Sequence, residues 1–277
     1  EILIMILWLS SYPKSGNTWA RIFLTNYLFE ETEDPFANID KIRSYPRKSF
    51  FNFLEKKDFE SLKDREQNFR QYIISQEKIN LNGELNLLKS HSYCGTLNGN
   101  NFSNTNNTAG FIYFVRDPRS VAISLSHHMN QSLEKAVDMM LNKNQFMQPE
   151  DSDGLLEFFS SWKINYLSWK NSKYPKLIIK YEELKKDPFD TFKKILNFIS
   201  QFKKIEIDDE KIHKIIKKCE FENLQKQEKI KGFKERKGRD LFFRKGEIDE
   251  WKDKLPNSLN ELIKKNFTSE MQELGYF

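Results

Sequence analysis

An α/β fold, with a central parallel β-sheet flanked by helices, is predicted by three observations. Continuous apolar runs of strand length recur at Ile2–Leu9 and Phe111–Val115, with a further buried strand read at Leu177–Tyr181, without the polar alternation of a strand that keeps one face in water. Stretches with apolar residues at helical spacing follow them. Lysine, arginine, histidine and hydroxyl side chains gather just past the C-terminal ends of these runs, where open parallel sheets place their ligands. The 277 residues are read as one domain spanning 1–277, since 38% apolar and 14% aromatic content suffices for a sizeable core.

The charge balance narrows the class of ligand. A formal charge of +5, from 45 basic and 40 acidic residues that are mostly interspersed, suits a small polyanion better than a nucleic-acid duplex. Cys94 and Cys219 are the only cysteines, too few for a disulfide framework or a cysteine zinc site, so a reducing, cytoplasmic setting is expected. Ile2–Leu9 is far too short to span a membrane and lacks a basic leader and a cleavage site, and no membrane partner is expected.

The first run leads into Ser11-Tyr12-Pro13-Lys14-Ser15-Gly16-Asn17-Thr18-Trp19, whose Gly16 is the only glycine of the first eighty residues. A strand, a glycine turn and a helix that opens on hydroxyl and amide side chains form a pocket of backbone N–H groups, the usual host of a phosphate. The helix adds about half a positive charge at its N-terminus. Lys14 adds a full one, and the Ser15 and Thr18 hydroxyls can donate to the same oxygens. The plainer alternative is that Gly16 only ends a turn and Trp19 is core. The ATP-binding pattern G-x-x-x-x-G-K-[ST] does not fit, because Lys14 precedes the glycine and no second glycine lies upstream.

The remaining elements follow in order. Trp19, Ile22, Phe23 and Tyr27 predict a helix over Thr18–Glu30, and residues 31–80 read as helices and loops over the sheet's C-terminal edge. Phe50, Phe51 and Phe53 there serve either an acceptor pocket or, more simply, the core. Leu85–Lys89 reads as a strand ending in Lys89-Ser90-His91, which makes His91 a candidate base, the alternative being a surface histidine. Residues 98–107, nearly all Asn, Ser, Thr and Gly, read as a mobile surface loop. After Phe111–Val115 come Arg116 at the strand end and Ser124 about two turns into a helix begun near Pro118, so both converge on one site unless Arg116-Asp117-Pro118-Arg119 is only a capped helix start. His127 and His128 are adjacent and point in different directions, which favours exposure or packing over metal binding. Leu155–Lys170 is an amphipathic scaffold segment, Phe189–Ile199 a helix and Asp208–Cys219 a short basic helix.

The string Y-P-K-S-G-N-T-W resembles the 5′-phosphosulfate loop Y-P-K-S-G-T-T-W of the cytosolic-type sulfotransferases, with Asn17 the one difference in eight positions. Five further segments resemble the same family in its order. Lys89-Ser90-His91 is similar to its K-T-H-L-P, with Ser92-Tyr93 in place of Leu-Pro. Arg116 and Ser124 match its 3′-phosphate motif, an arginine followed eight residues later by a serine. Tyr181-Glu182-Glu183-Leu184 resembles its Y-E-D-hydrophobic segment, and Cys219-Glu220-Phe221 stands where it has T-S-F. Arg244-Lys245-Gly246 with Trp251-Lys252 resembles its R-K-G-x-x-G-D-W-K, with Asp249 and Glu250 replacing Gly-Asp.

That resemblance implies the P-loop-nucleotide-hydrolase-like sulfotransferase fold and transfer of a sulfuryl group from 3′-phosphoadenosine 5′-phosphosulfate to a hydroxyl or amine of a small-molecule acceptor. It implies that His91 takes the acceptor proton, Lys14 neutralises the leaving phosphate and Lys89 steadies the sulfuryl oxygens. Donor binding then falls to Lys14, Ser15, Gly16, Asn17, Thr18, Trp19, Arg116, Ser124, Tyr181, Phe221, Arg244, Lys245 and Gly246, with Phe221 and Trp19 on either side of adenine and no metal. The basic stretch Lys226–Arg239 reads as a solvated lid or as an attractor of the anionic nucleotide. Family members carry a few tens of residues before the first strand, so a truncated start or an unusual homologue is expected. The family's dimerisation segment is not recognisable after Trp251, which leaves the oligomeric state open. The competing readings are a nucleotide kinase or other phosphoryl transferase of related fold, and a non-catalytic nucleotide-binding module.

Overall fold

The computed structural model describes residues 5–54, 65–80, 84–147, 155–237 and 239–277. Its strands are β1 (Ile6–Ser11), β2 (Asn86–Ser90), β3 (Thr96–Leu97), β4 (Asn100–Asn101), β5 (Thr108–Val115), β6 (Phe146–Met147), β7 (Glu157–Phe158) and β8 (Lys176–Lys180). The helices are α1 (Asn17–Leu28), α2 (Arg65–Asn80), α3 (Pro118–Met129), α4 (Leu133–Leu141), α5 (Trp162–Lys170), α6 (Tyr181–Lys186), α7 (Pro188–Ile199), α8 (Asp209–Lys218), α9 (Phe221–Lys231), α10 (Trp251–Lys254) and α11 (Asn257–Leu274). Short 3₁₀ turns at Ile39–Lys41 and Lys48–Phe51 join α1 to α2.

Four strands form the predicted parallel sheet in the order β2-β1-β5-β8. The apolar runs are continuous because both faces of the sheet are covered. On one face Ile6, Trp8, Phe111, Tyr113 and Val115 join a core with Trp162 and Trp169. On the other, Leu7, Leu9, Ile112, Phe114 and Ile179 pack against α1, α7 and α8. Phe50 and Phe51 belong to the first of these cores.

Strand register decides where the site forms. Ser10 lies opposite Ser90, Ser11 opposite Phe114, and Val115 opposite Lys180, so the four strands end nearly level. Immediately beyond those ends come the Tyr12–Gly16 loop, His91, Arg116 and Tyr181. The chain leaves β1 toward β2 on one side and later leaves β5 toward β8 on the other, which opens a crevice between β1 and β5.

Two expectations need correction. The polar stretch 98–107 is not a free loop: Asn98 and Gly99, both at positive φ, turn the β3–β4 hairpin, and Phe102, Ser103 and Asn107 behind it are buried. An Asn-Gly pair favours this tight hairpin because both residues tolerate left-handed backbone. The basic stretch is not wholly irregular either: α9 covers its residues 226–231 and Glu228 within it is buried, while most of its other described residues are exposed.

Candidate active site

The loop after β1 is shaped by left-handed backbone at Lys14 (φ +67°) and Gly16 (φ +94°). A Cβ on Gly16 would lie 2.7 Å from Tyr181 Cδ2, so only glycine lets the loop pass under that ring. Gly16 is also the N-cap of α1 and offers no side-chain cap, which leaves the first-turn N–H groups for another acceptor. Ser15 Oγ is buried beside them with no hydrogen-bond partner. Across the crevice, Arg116 donates from Nη1 to the Lys14 carbonyl (3.3 Å) and from Nη2 to the Glu247 carbonyl (2.8 Å), and its guanidinium lies 4.3 Å from the Tyr181 ring centre. Its Nε is buried without a partner. Orphaned buried donors are costly unless a ligand accepts from them, and an anionic phosphate at this helix end meets that need. The residues present therefore fit a phosphate-bearing nucleotide.

Lys14 places Nζ 3.8 Å from the centre of the Phe242 ring. Desolvation there, helped by repulsion from Arg116, brings its pKa down to about 7. Desolvation also lowers the Lys89 ammonium, against the opposing attraction of Glu157 and Glu235.

His91 is held from both sides. Its Nδ1 lies 2.8 Å from the Ser11 carbonyl and 3.1 Å from Ser11 Oγ. A carbonyl only accepts, so Nδ1 carries the proton and Nε2 is the basic nitrogen of a ring that lines the cavity. Desolvation, with Lys89 alongside, pushes the imidazole pKa well below its ordinary value, which keeps the ring neutral. Asn165 Nδ2 donates to the His91 carbonyl (2.8 Å), and the His91 N–H donates to Glu157 Oε1 (2.6 Å).

The far wall comes from α9 and residues 232–250. Glu228 accepts from the N–H groups of Phe242 (2.7 Å) and Phe243 (2.9 Å), and Gln225 Nε2 donates to the carbonyls of Phe243 and Arg244. Tyr181 Oη donates to the Gly246 carbonyl (3.0 Å), and Ser120 Oγ to that of Ile248 (2.6 Å). Phe221 and Trp19 both face the Lys185 ammonium, 5.5 and 5.7 Å from the ring centres. Trp19 is fixed by its indole N–H donating to the Cys219 carbonyl (2.8 Å), a contact indifferent to the side chain at 219.

One cavity of about 600 Å³ is lined by every predicted site residue except Ser15, which lies buried beneath the loop. Three side chains expected to face the donor are engaged within the protein. Asn17 turns its amide back to the strand end, donating to the Leu9 carbonyl (2.9 Å) and to Ser11 Oγ (3.3 Å), so its side chain supports the loop and the serine beside His91. Thr18 Oγ1 donates to Glu235 Oε2 (3.0 Å), which leaves its backbone N–H as the free donor to a phosphate. Arg244 forks both guanidinium nitrogens onto Glu250, and Lys245 Nζ lies 3.2 Å from the same carboxylate. The replacement at Glu250 thus supplies the arginine's partner.

Several lining residues gave no motif. Arg21 is buried in α1, donates to the carbonyls of Ile39 and Ile42, and pairs with Glu235 at 2.7 Å. Burial opposes ionisation of Glu235, yet Arg21 and Lys89, with hydrogen bonds from Arg21 and Thr18, hold its pKa at about 2. A charged residue amid Ile22, Phe23 and Leu24 signalled a buried partner for Arg21, but nothing local pointed to residue 235. His127 pairs with Asp240 at the surface (2.7 Å), while His128 packs edge-on against Phe242. Among the described residues no cluster of three or more His, Cys, Asp or Glu side chains could hold a metal ion, and no helix is long and apolar enough to cross a membrane.

Comparison with known proteins shows the family. A flavonol 3-sulfotransferase of Flaveria bidentis is 26% identical over 97% of this chain and 82% of its own length. An amine sulfotransferase of Oryctolagus cuniculus is 25% identical over 95% of the chain and 79% of its own. Among solved structures, a mouse sulfotransferase complexed with PAP superposes with a TM-score of 0.58 at 19% identity, covering 96% of this chain and 84% of that one. Retinol dehydratase in a complex with retinol and PAP superposes with a TM-score of 0.63 at 16% identity, covering 96% and 81%. The family model described as the sulfotransferase domain matches residues 6–275, and the chain is a sulfotransferase belonging to that family.

Proposed function

We propose that this enzyme moves a sulfuryl group from 3′-phosphoadenosine 5′-phosphosulfate to a hydroxyl or amine of a small acceptor, using the cavity at the strand ends as one domain's active site. The observation that carries the reading is the convergence of unpartnered donors on one crevice: the uncapped start of α1, Ser15 Oγ and Arg116 Nε. The slot between Trp19 and Phe221 suits an adenine, and Arg116, Ser124 and Arg244 suit the 3′-phosphate. PAP in solved relatives supports that donor.

When bound, the donor supplies an activated sulfur whose leaving group is a phosphate. His91 Nε2 accepts the acceptor's proton, for which its neutral state and fixed tautomer suit it. Lys14 neutralises charge at the departing phosphate end, and Lys89, on the strand that leads directly to the base, steadies charge on the transferred group. No metal is assigned a role. Flavonol and amine sulfotransferases among the relatives support a small-molecule acceptor, and several relatives are named cytosolic, which with two free cysteines supports a cytoplasmic setting.

Calorimetry without magnesium tests the donor half of the reading. Adenosine 3′,5′-bisphosphate is expected to bind far more tightly than AMP or ATP, and equal affinity for AMP would remove the 3′-phosphate assignment. Transfer of labelled sulfuryl to a panel of phenols, alcohols and amines tests the acceptor half.

A further inference from the structure

The segment after β2 lacks the Leu-Pro pair that the resemblance led one to expect, and Ser92-Tyr93 stands in its place. Another device stiffens it. Glu157, on the short strand β7 and buried to 6% exposure, directs one oxygen at the turn. Oε1 accepts from the His91 N–H at 2.6 Å, from Ser90 Oγ at 3.3 Å and from Ser92 Oγ at 3.5 Å. Ser90 Oγ in turn accepts from the Ser92 N–H (3.0 Å), which closes a small ring of hydrogen bonds around the strand exit. The next residues are tied to the same wall, Tyr93 N–H to the Phe158 carbonyl (2.7 Å) and Trp169 Nε1 to the Ser92 carbonyl (2.9 Å).

We propose that Glu157 is a positioning residue for His91 and Lys89, a role that rests on their proposed use as base and sulfuryl anchor. A carboxylate suits the place because it only accepts, and three donors converge on it. The Glu157 oxygen fixes the peptide N–H of His91 while Asn165 fixes its carbonyl, so the imidazole is aimed by backbone held on both sides. Glu157 also lines the cavity near Lys89 and opposes the desolvation that draws the proton off that ammonium. One side chain thus holds the backbone that aims the base and favours the charged form of its neighbour. Its partner strand carries Met147, paired opposite Glu157, so the β6–β7 ribbon holds the carboxylate from behind.

The test compares Glu157→Ala and Glu157→Gln in the full chain. In Glu157→Ala the His91 amide should exchange with solvent at least tenfold faster, roughly, because its acceptor is gone. Turnover at saturating donor should fall about 10²-fold, the scale of an ångström's misplacement of a reacting group. Affinity for adenosine 3′,5′-bisphosphate, measured by calorimetry, should stay within about twofold because the donor contacts lie elsewhere. Glu157→Gln keeps an acceptor oxygen without the charge, so His91 exchange should stay slow and turnover should recover to within about fivefold of wild type. The alkaline limb of its turnover–pH profile should move to lower pH, since Lys89 then faces Glu235, Arg21 and Lys237 without the second carboxylate.

Unchanged turnover in a folded Glu157→Ala would overturn the proposal, as would equal losses of turnover, nucleotide affinity and melting temperature in both variants. If Glu157→Ala fails to fold, an unmoved alkaline limb in Glu157→Gln overturns it. If the wild type moves sulfuryl to no acceptor, the functional reading fails instead, and the His91 exchange rates still decide whether Glu157 holds the turn.

Discussion

The two walls of the cavity are built on different principles. The inner wall is the level edge of a parallel sheet, where the Tyr12–Gly16 loop, His91, Arg116 and Tyr181 are placed by strand register and each follows its strand directly. The outer wall, α9 with residues 232–237 and 239–250, is held by carboxylates: Glu228 binds the N–H groups of Phe242 and Phe243 and Glu250 binds Arg244 within it, while Glu235 ties it to Arg21 and the Thr18 hydroxyl of α1. In the proposed function, cations of the first wall meet the donor through pre-aimed geometry. Arg244 of the second already has an anionic partner in Glu250, and the Thr18 hydroxyl already donates to Glu235, so an arriving phosphate would compete for both. Chemistry should therefore be more sensitive to the inner wall, and affinity more adjustable at the outer one.

The largest expected effect is at the inner wall. Lys14→Met keeps length and removes charge, and turnover should fall by about 10³-fold, the scale of a lost preorganised charge at a leaving group. Bisphosphate affinity should fall by less than about tenfold, because Arg116 and the loop N–H groups remain. Lys14→Arg should rescue only partly, since a planar fork does not replace a compact ammonium. Weakened donor binding with full turnover at saturation would make Lys14 a ground-state anchor.

Gly246→Ala probes the seam between the walls. Its φ of +66° is left-handed, and a Cβ would lie 2.7 Å from the Phe221 ring. The backbone strain alone is about 1–2 kcal/mol, and displacement of the Phe221 ring should cost nucleotide affinity about tenfold in all. Titration by intrinsic fluorescence would measure it, and unchanged affinity would separate Phe221 from the adenine slot.

A proton linkage distinguishes the walls again. In the free enzyme desolvation and Arg116 bring Lys14 to about 7, whereas a bound anion raises it. Below pH 7 the ammonium is already present and affinity is flat. Above it binding must recruit a proton, so bisphosphate affinity should fall by up to about tenfold per pH unit until the raised pKa of the complex is reached. Calorimetry at pH 8 in buffers of different ionisation heat should show net proton uptake in wild type and a loss of that uptake in Lys14→Met.

The smallest effect is expected where a partner is removed from the outer wall. Glu250→Gln leaves Arg244 its full charge, and bisphosphate should bind about threefold more tightly, the scale of a part-exposed ion pair. Weaker binding would mean that Glu250 preorganises Arg244 rather than competing for it.

This division also explains what was legible in the sequence. Strand, loop and helix at Tyr12–Trp19, or strand, arginine and helix at Arg116–Ser124, are local patterns, and their spacing alone carries the geometry. The outer wall depends on contacts between residues some two hundred positions apart, as between Thr18 and Glu235. In a stretch rich in lysine, Glu228 and Glu235 look like ordinary solvated charges, and only the fold shows that each has a buried task. Glu157 escaped notice for the same reason, and the departure at Ser92-Tyr93 marked the place without naming the remedy. Asn98-Gly99 was different: the signal for a hairpin was present, and the polar composition around it hid it.

The contact between Lys14 and Phe242 has a practical consequence. An amine brought to a pKa of about 7 is substantially uncharged at neutral pH, and so is a nucleophile. The nucleotide-free enzyme thereby carries a handle for covalent capture: an adenosine bearing a sulfonyl fluoride at its 5′ end should form a sulfonamide with Lys14 Nζ, releasing fluoride and the amine proton, ahead of surface lysines. Bound bisphosphate, by returning the proton, should shield it, so the extent of labelling becomes a direct count of vacant enzyme.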